Sequence, residues 1–275
     1  MFAVDHAATA LLIKRRYPSV SLTPMLLSVQ AMELAWVGLN YLGIERTTTD
    51  ASVRSVADIH LAYMPFSHSV ATAAGGALLA WWFVEKGLGR PLLARAIGIG
   101  IFSHLVLDLV THAQDIVLWP CSTLPALGLG LYDRAPMWGF ALEMVYGVIC
   151  WRVCRGRRSL LAMIVLGNLA NITLFSAAIP GPEQFLAGHP LMLVTVIFVQ
   201  IVVTLALIGW LAARPSNSST LAIDAFQAAL PVSLLQRLFR GRFRRQPVSN
   251  GDRDKNGAQN HRREEDHRDP MAHMP

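Results

Sequence analysis

Histidine and aspartate recur at four-residue intervals in Ser103–His112, which reads SHLVLDLVTH. At that spacing His104, Asp108 and His112 each advance about 40° around a helix, so three metal-capable side chains form one stripe. Leu105, Val106, Leu107, Leu109 and Val110 cover the other faces. The surrounding sequence has the apolarity of a membrane-spanning helix, where an ionisable group costs roughly 2.5–3.5 kcal/mol on insertion scales and faces a partner or a wet cavity. Imidazole nitrogen with carboxylate oxygen is a donor set for Zn²⁺, Mn²⁺ or Fe²⁺.

The elements that must position this stripe follow from composition. Of 275 residues, 53% are hydrophobic and 15% charged, against about 25% charged in an average protein. An ordinary soluble domain is excluded. Mean hydropathy is +0.40 even with a polar tail after Arg214 included. The predicted fold is all-α: a polytopic bundle of about six transmembrane helices, each needing about 20 mainly apolar residues. Their windows are Leu22–Leu42, Ser69–Val84, Leu92–Leu118, Met137–Val153, Ser159–Ile179 and Leu191–Ala213. A short apolar helix, Phe2–Ile13, carries Asp5 and His6; at about 18 Å it cannot cross alone and reads as a half-inserted or interfacial helix. The domain organisation is thus a membrane domain over 1–213, a basic amphipathic segment over 214–245, and a polar tail over 246–275 with too little apolar surface to fold.

Basic residues orient the bundle. Lys14, Arg15, Arg16, Lys86, Arg90, Arg152, Arg155, Arg157, Arg158 and Arg214 alternate with loops poor in positive charge. That pattern puts both termini in the cytoplasm of a bacterial cell, with the protein in its inner membrane. The net charge of +6 gathers in the C-terminal arginines, which suit anionic lipid headgroups; no nucleic-acid-binding fold accompanies them. The N-terminus lacks the basic lead of a cleavable signal peptide. Cys121, Cys150 and Cys154 make no paired framework, and the last two read as small buried hydrophobes. Trp81, Trp82, Trp119, Trp138 and Trp151 form an interfacial belt. Asn168 and Asn171 suit interhelical hydrogen bonds, and Gly75-Gly76 suits close helix packing. Asp58, His60 and His189 read as loop or headgroup-level residues.

With that orientation Glu33, His68, His104, Asp108, His112 and Glu143 converge in the outer half of the bundle, and His6 joins them only if the short first helix is inserted. A divalent cation would neutralise the carboxylates. His6, Glu33, His68, His104, Asp108 and His112 exceed the four ligands of a closed structural zinc site, which fits an open catalytic site or a two-metal centre. A proton or ion relay and plain interhelical hydrogen bonding are the alternatives for the same stripe. For Glu143 the alternative is capping or pairing with Arg134.

The segments PFSHS at Pro65–Ser69, SHLVLDLVTH, GLGLYDRAP at Gly128–Pro136 and NLANITLFSAAIPGP at Asn168–Pro182, with His6 and Glu143, carry a resemblance. Over residues 1–213 the chain resembles the bacterial membrane-bound metal-dependent hydrolase family and its six-span relatives. The resemblance implies hydrolysis at a divalent metal, Zn²⁺ first and Mn²⁺ or Fe²⁺ after it. Glu33 stands where these relatives commonly carry aspartate, so its reach to a metal differs. The expected substrate is a lipid or lipid-linked ester or phosphoester, with Glu143 or an uncoordinated Glu33 taking the water proton. The rival expectations are a proton- or ion-coupled transporter using the same stripe, and a non-enzymatic scaffold.

Overall fold

A computed structural model of the chain describes residues 1–213; the basic segment 214–245 and the tail 246–275 lie outside the described residues. Its helices are α1 (Ala3–Arg16), α2 (Leu22–Val29), α3 (Ala31–Tyr41), α4 (Val70–Trp82), α5 (Pro91–Thr111), α6 (Leu131–Arg134), α7 (Pro136–Cys154), α8 (Arg158–Leu169) and α9 (Pro190–Ala213). Prolines open α5, α7 and α9, where the missing N–H is lost without cost. Large apolar side chains such as Leu79, Phe102, Val145, Val203 and Trp210 point outward, while Asp5, His6, His104, Asp108 and Glu143 are buried. Such a distribution is that of a bundle solvated by lipid.

By length and apolarity α5, α7 and α9 can each cross a bilayer, and α2 with α3 makes a fourth crossing if the bent pair is one span. The other two windows form shorter helices. α4 has 13 residues and continues into a π-helical turn over Phe83–Gly87. α8 has 12 residues, after which the chain turns at Ala170 and forms a 3₁₀ turn over Ile172–Phe175.

Three features depart from the sequence expectation. The first window is not one straight helix: α2 and α3 meet at 53°. Gln30, fully buried at the corner, donates from Nε2 to Ala3 O at 2.9 Å. Secondly, the fold is not purely helical. Arg46–Thr49 (β1) and Ile59–Tyr63 (β2) pair antiparallel in a two-stranded ribbon, because the β-branched run Thr47-Thr48-Thr49 favours a pleated strand over a helix. Asp50 and His60 join across it at 2.9 Å, and Asp58 caps the short turn that precedes β2.

Thirdly, α1 lies inside the bundle and not at its edge. It packs against α2, α5, α7, α8 and α9 and is buried over most of its length. The run Ala7-Ala8-Thr9-Ala10 explains the position, since small side chains let several backbones approach. Close packing also falls on a different glycine from the expected pair. A Cβ on Gly75 or Gly76 would meet nothing within 4 Å, whereas one on Gly100 of α5 would stand 2.0 Å from Ser28 Oγ of α2.

The ribbon, the C-terminal end of α5 and the N-terminal ends of α4, α7 and α9 share one end of the bundle. Val70 and Ala71 donate to Val117 and Leu118 beyond α5, and Gly188 before α9 donates to Thr49. This ribbon end holds the polar cluster.

Candidate metal centre

Four parts of the chain bring the cluster together. His6 comes from the first turn of α1, Glu33 from the first turn of α3, His68 from the segment before α4, and His104 with Asp108 from α5, which His112 caps. Asp108 is the hub. Its Oδ1 lies 3.2 Å from His6 Nε2 and 3.8 Å from His112 Nε2, and also accepts from the Met1 ammonium at 2.7 Å. Its Oδ2 lies 3.0 Å from His104 Nε2 and 3.7 Å from His68 Nε2. Glu33 Oε2 stands 3.3 Å from His68 Nε2 and 3.6 Å from His104 Nε2. The His6 and His104 rings stack at 3.8 Å.

The outer nitrogens of three histidines are held in place. His104 Nδ1 donates to Val29 O at 2.8 Å, a carbonyl that the bend leaves at the end of α2 without a helical partner. His68 Nδ1 meets Ser67 Oγ at 2.8 Å, and that hydroxyl gives its own proton to Glu45 Oε2 at 2.5 Å, so Nδ1 is the donor. Glu45 is itself fixed by the amides of Phe66 and Ser67, each at 2.8 Å. His112 Nδ1 donates to Asp115 Oδ1 at 3.3 Å. With the proton on Nδ1, a neutral imidazole turns its Nε2 lone pair towards these carboxylate oxygens. Lone pair against lone pair at these distances repels unless positive charge lies between.

A metal answers that requirement. Nε2 of His68 and His104, both nitrogens of His6 and Oδ2 of Asp108 are buried without a hydrogen-bond partner, where buried polar atoms are ordinarily paired. Donors about 2.0–2.2 Å from a tetrahedral ion stand about 3.3–3.6 Å apart, and the separations above bracket that range. Three overlapping donor groups result: His6–His104–Asp108, Glu33–His68–His104 and His68–Asp108–His112. Held Nδ1 atoms with free Nε2 atoms are also how ligating histidines are oriented.

Glu143 lies beside the centre, outside all three groups. Its Oε1 accepts from Tyr132 Oη and from Phe2 N, so its partners are these and not Arg134. Asp5, buried next to it, is reached by Asn168 Nδ2 at 3.5 Å. Asn171 Oδ1 accepts from Gln200 of α9 at 2.9 Å. Sequence reasoning passed over Asp5, Glu45, Ser67 and Tyr132 as site residues. Asp5 was visible as a charge in an apolar helix, and Ser67 stood inside PFSHS; Glu45 carried no signal, being one acid in a loop far along the chain from His68.

A cavity of about 690 Å³ reaches Glu33, His68 and His112, with Trp36, Leu193 and Val196 among its walls. Asp133 lines it too, and partial burial, followed by the nearby charge of Asp115, holds its carboxyl above the ordinary value.

A helical bundle with an apolar exterior and this buried group of histidines and carboxylates is an integral membrane protein with a candidate metal centre. The family described as YdjM inner membrane protein matches residues 53–182, and over that stretch the chain is similar to this bacterial membrane family. The matched stretch includes His68, His104, Asp108, His112 and Glu143 and leaves out His6, Glu33 and Glu45. No curated protein and no solved structure matches the chain.

Proposed function

We propose that the protein is a membrane-embedded metal-dependent hydrolase acting on a lipid or lipid-linked ester or phosphoester. The observation that carries this reading is the inward presentation of the unpartnered Nε2 atoms of His68 and His104 towards Asp108 and Glu33, their Nδ1 atoms held from behind. His6, His68, His104, His112, Asp108 and Glu33 would hold one or two divalent ions, zinc first. A bound ion supplies acidity to a water molecule and polarises the scissile group.

The chain's own residues supply the rest. Of the two carboxylates suited to proton transfer, Glu33 lines the cavity and is 23% exposed, while Glu143 is fully buried behind Tyr132. Where Asp108 and the histidines hold the ion and Glu33 is left uncoordinated, Glu33 takes a proton from the attacking water as its oxygen bonds to the acyl carbon or phosphorus. The ester C–O or P–O bond then breaks, and Glu33 returns the proton to the departing alkoxide oxygen. Glu143 keeps α7 docked on Phe2 and so positions His6.

In the proposed topology the ribbon end is periplasmic, Lys14, Arg15, Arg16 and the C-terminal end of α9 face the cytoplasm, and α2–α3, α4, α5, α7, α8 and α9 are six crossings; Met1, held on Asp108, then lies in the outer half of the bundle and not in the cytoplasm expected from the sequence. The alternating basic loops support it, and so does the packing of α4 on α5 and α8 on α7. Metal analysis of detergent-purified protein tests the function. We expect about one or two divalent ions per chain, lost in His104→Ala and Asp108→Ala, and chelator-sensitive cleavage of a lipid ester. Metal-free wild-type protein, or metal content indifferent to both substitutions, would overturn the reading. Ion- or pH-coupled flux in sealed vesicles without bound metal would mark a transporter instead.

A further inference from the structure

Glu183 takes no part in the metal centre, yet it is the other acidic side chain buried along the cavity. It sits in the 3₁₀ turn Pro182–Leu186 ahead of α9, only 4% exposed. Thr173 Oγ1 donates to its Oε2 at 3.0 Å, while Oε1 is buried with no hydrogen-bond partner. The loop from Pro180 to Pro190 contains no lysine or arginine. A buried carboxylate in that state is costly, and the cost is relieved when a donor or a positive charge reaches it. The backbone fixes where the carboxylate stands: a Cβ on Gly181 would come within 2.2 Å of Oε2 and 2.4 Å of Oε1.

The remaining walls are apolar. Trp36 of α3 and Leu193, Val196 and Ile197 of α9 line the same cavity. Val196 and Val199 are also exposed on the outside of α9, so the cavity adjoins the surface that meets lipid chains. Carboxylate and apolar wall together match a molecule with a cationic head and a hydrocarbon body.

We infer that the cavity binds a bilayer amphiphile bearing a protonated amine, its ammonium on Glu183 and an acyl chain along α3 and α9. This deepens the hydrolase reading and rests on it for the cleavage step alone: the ester groups lie between Glu183 and the donors His68 and His112. Binding itself needs no metal.

The test uses the full chain in detergent, titrated with phosphatidylethanolamine or phosphatidylglycerol of equal chain length and read by native mass spectrometry. Wild-type protein is expected to retain the ethanolamine lipid about tenfold more strongly, the effect of one charge-assisted hydrogen bond. Glu183→Gln and Gly181→Ala reduce that preference to near unity, and Val196→Trp weakens both lipids by filling the wall. Phosphatidylcholine, whose trimethylated nitrogen has no N–H, gives a test in unaltered protein and falls well below phosphatidylethanolamine. Equal retention of the lipids by wild type, or an unchanged preference in folded Glu183→Gln, overturns the inference. Metal content measured on the same samples stays at the wild-type level in Glu183→Gln; a metal-free protein with the lipid preference intact would count against the hydrolase reading alone.

Discussion

At the residue scale, the side chains behind the histidines decide how well the centre is organised. Ser67 and Glu45 hold His68 through a hydroxyl proton, so Ser67→Ala and Glu45→Gln leave the ligand present but free to rotate. Losing such an orienting partner lowers metal affinity about 10–100-fold. Competition against a chromophoric chelator measures this, and wild-type affinity in both variants would remove Glu45 from the centre. The same geometry explains what was legible in the sequence. His104, Asp108 and His112 share one helix, so periodicity alone puts them on one face. His68 and Glu33 required only that apolar windows be laid side by side. Glu45 was hidden because it reaches the centre through a hydroxyl and two loop amides, a link that no regular spacing encodes.

The bend between α2 and α3 is the element-scale feature on which the site depends, since it turns Val29 O towards His104 Nδ1. Proline or glycine at the corner would have revealed it; Gln30 did not. Gln30→Leu removes the bond that ties the α2–α3 corner to Ala3 O of α1, with an expected loss of about 0.5–1.5 kcal/mol, readable in a denaturation series in mild detergent. A second element-scale prediction concerns the contact of α2 with α5. Gly100→Ala drives a methyl into Ser28 and is expected to cost about 1–3 kcal/mol through overpacking. Because Ser28 adjoins Val29, metal affinity falls with stability, and Ser28→Gly in the same chain recovers part of both. Recovery of neither would show that α2 and α5 are not coupled through this pair. The ribbon β1–β2 escaped the sequence reading for a different reason: strands of 4 and 5 residues are too short for alternation to stand out beside apolar helices.

For the whole molecule, the proposed orientation makes a direct prediction through a native side chain. Cys121 is exposed in a loop at the ribbon end, whereas Cys150 is buried and Cys154 partly so near the opposite end of α7. A membrane-impermeant maleimide added to intact cells with a permeable outer envelope should label Cys121, and Cys121→Ser should abolish the signal. Leu88→Cys, in the exposed turn between α4 and α5, should react only after the inner membrane is opened. The reverse pattern would invert the topology. Composition was enough to read a membrane bundle, because it is a sum over many residues; the orientation drawn from the basic loops is what the labelling tests. The depth of α1 was not readable that way: a 14-residue helix looks too short for the membrane when judged alone and is at home only once its neighbours enclose it.

That enclosure has a consequence for biogenesis. α1 is made before α7, α8 and α9, which close around it. His6 cannot meet His104 until α5 has been made, and most of the helices that enclose α1 follow later still. Contacts so distant along the chain form slowly, and until they do the candidate donors stay open to solvent. In the proposed metalloenzyme an ion would enter before closure, with α1 acting as the final keystone.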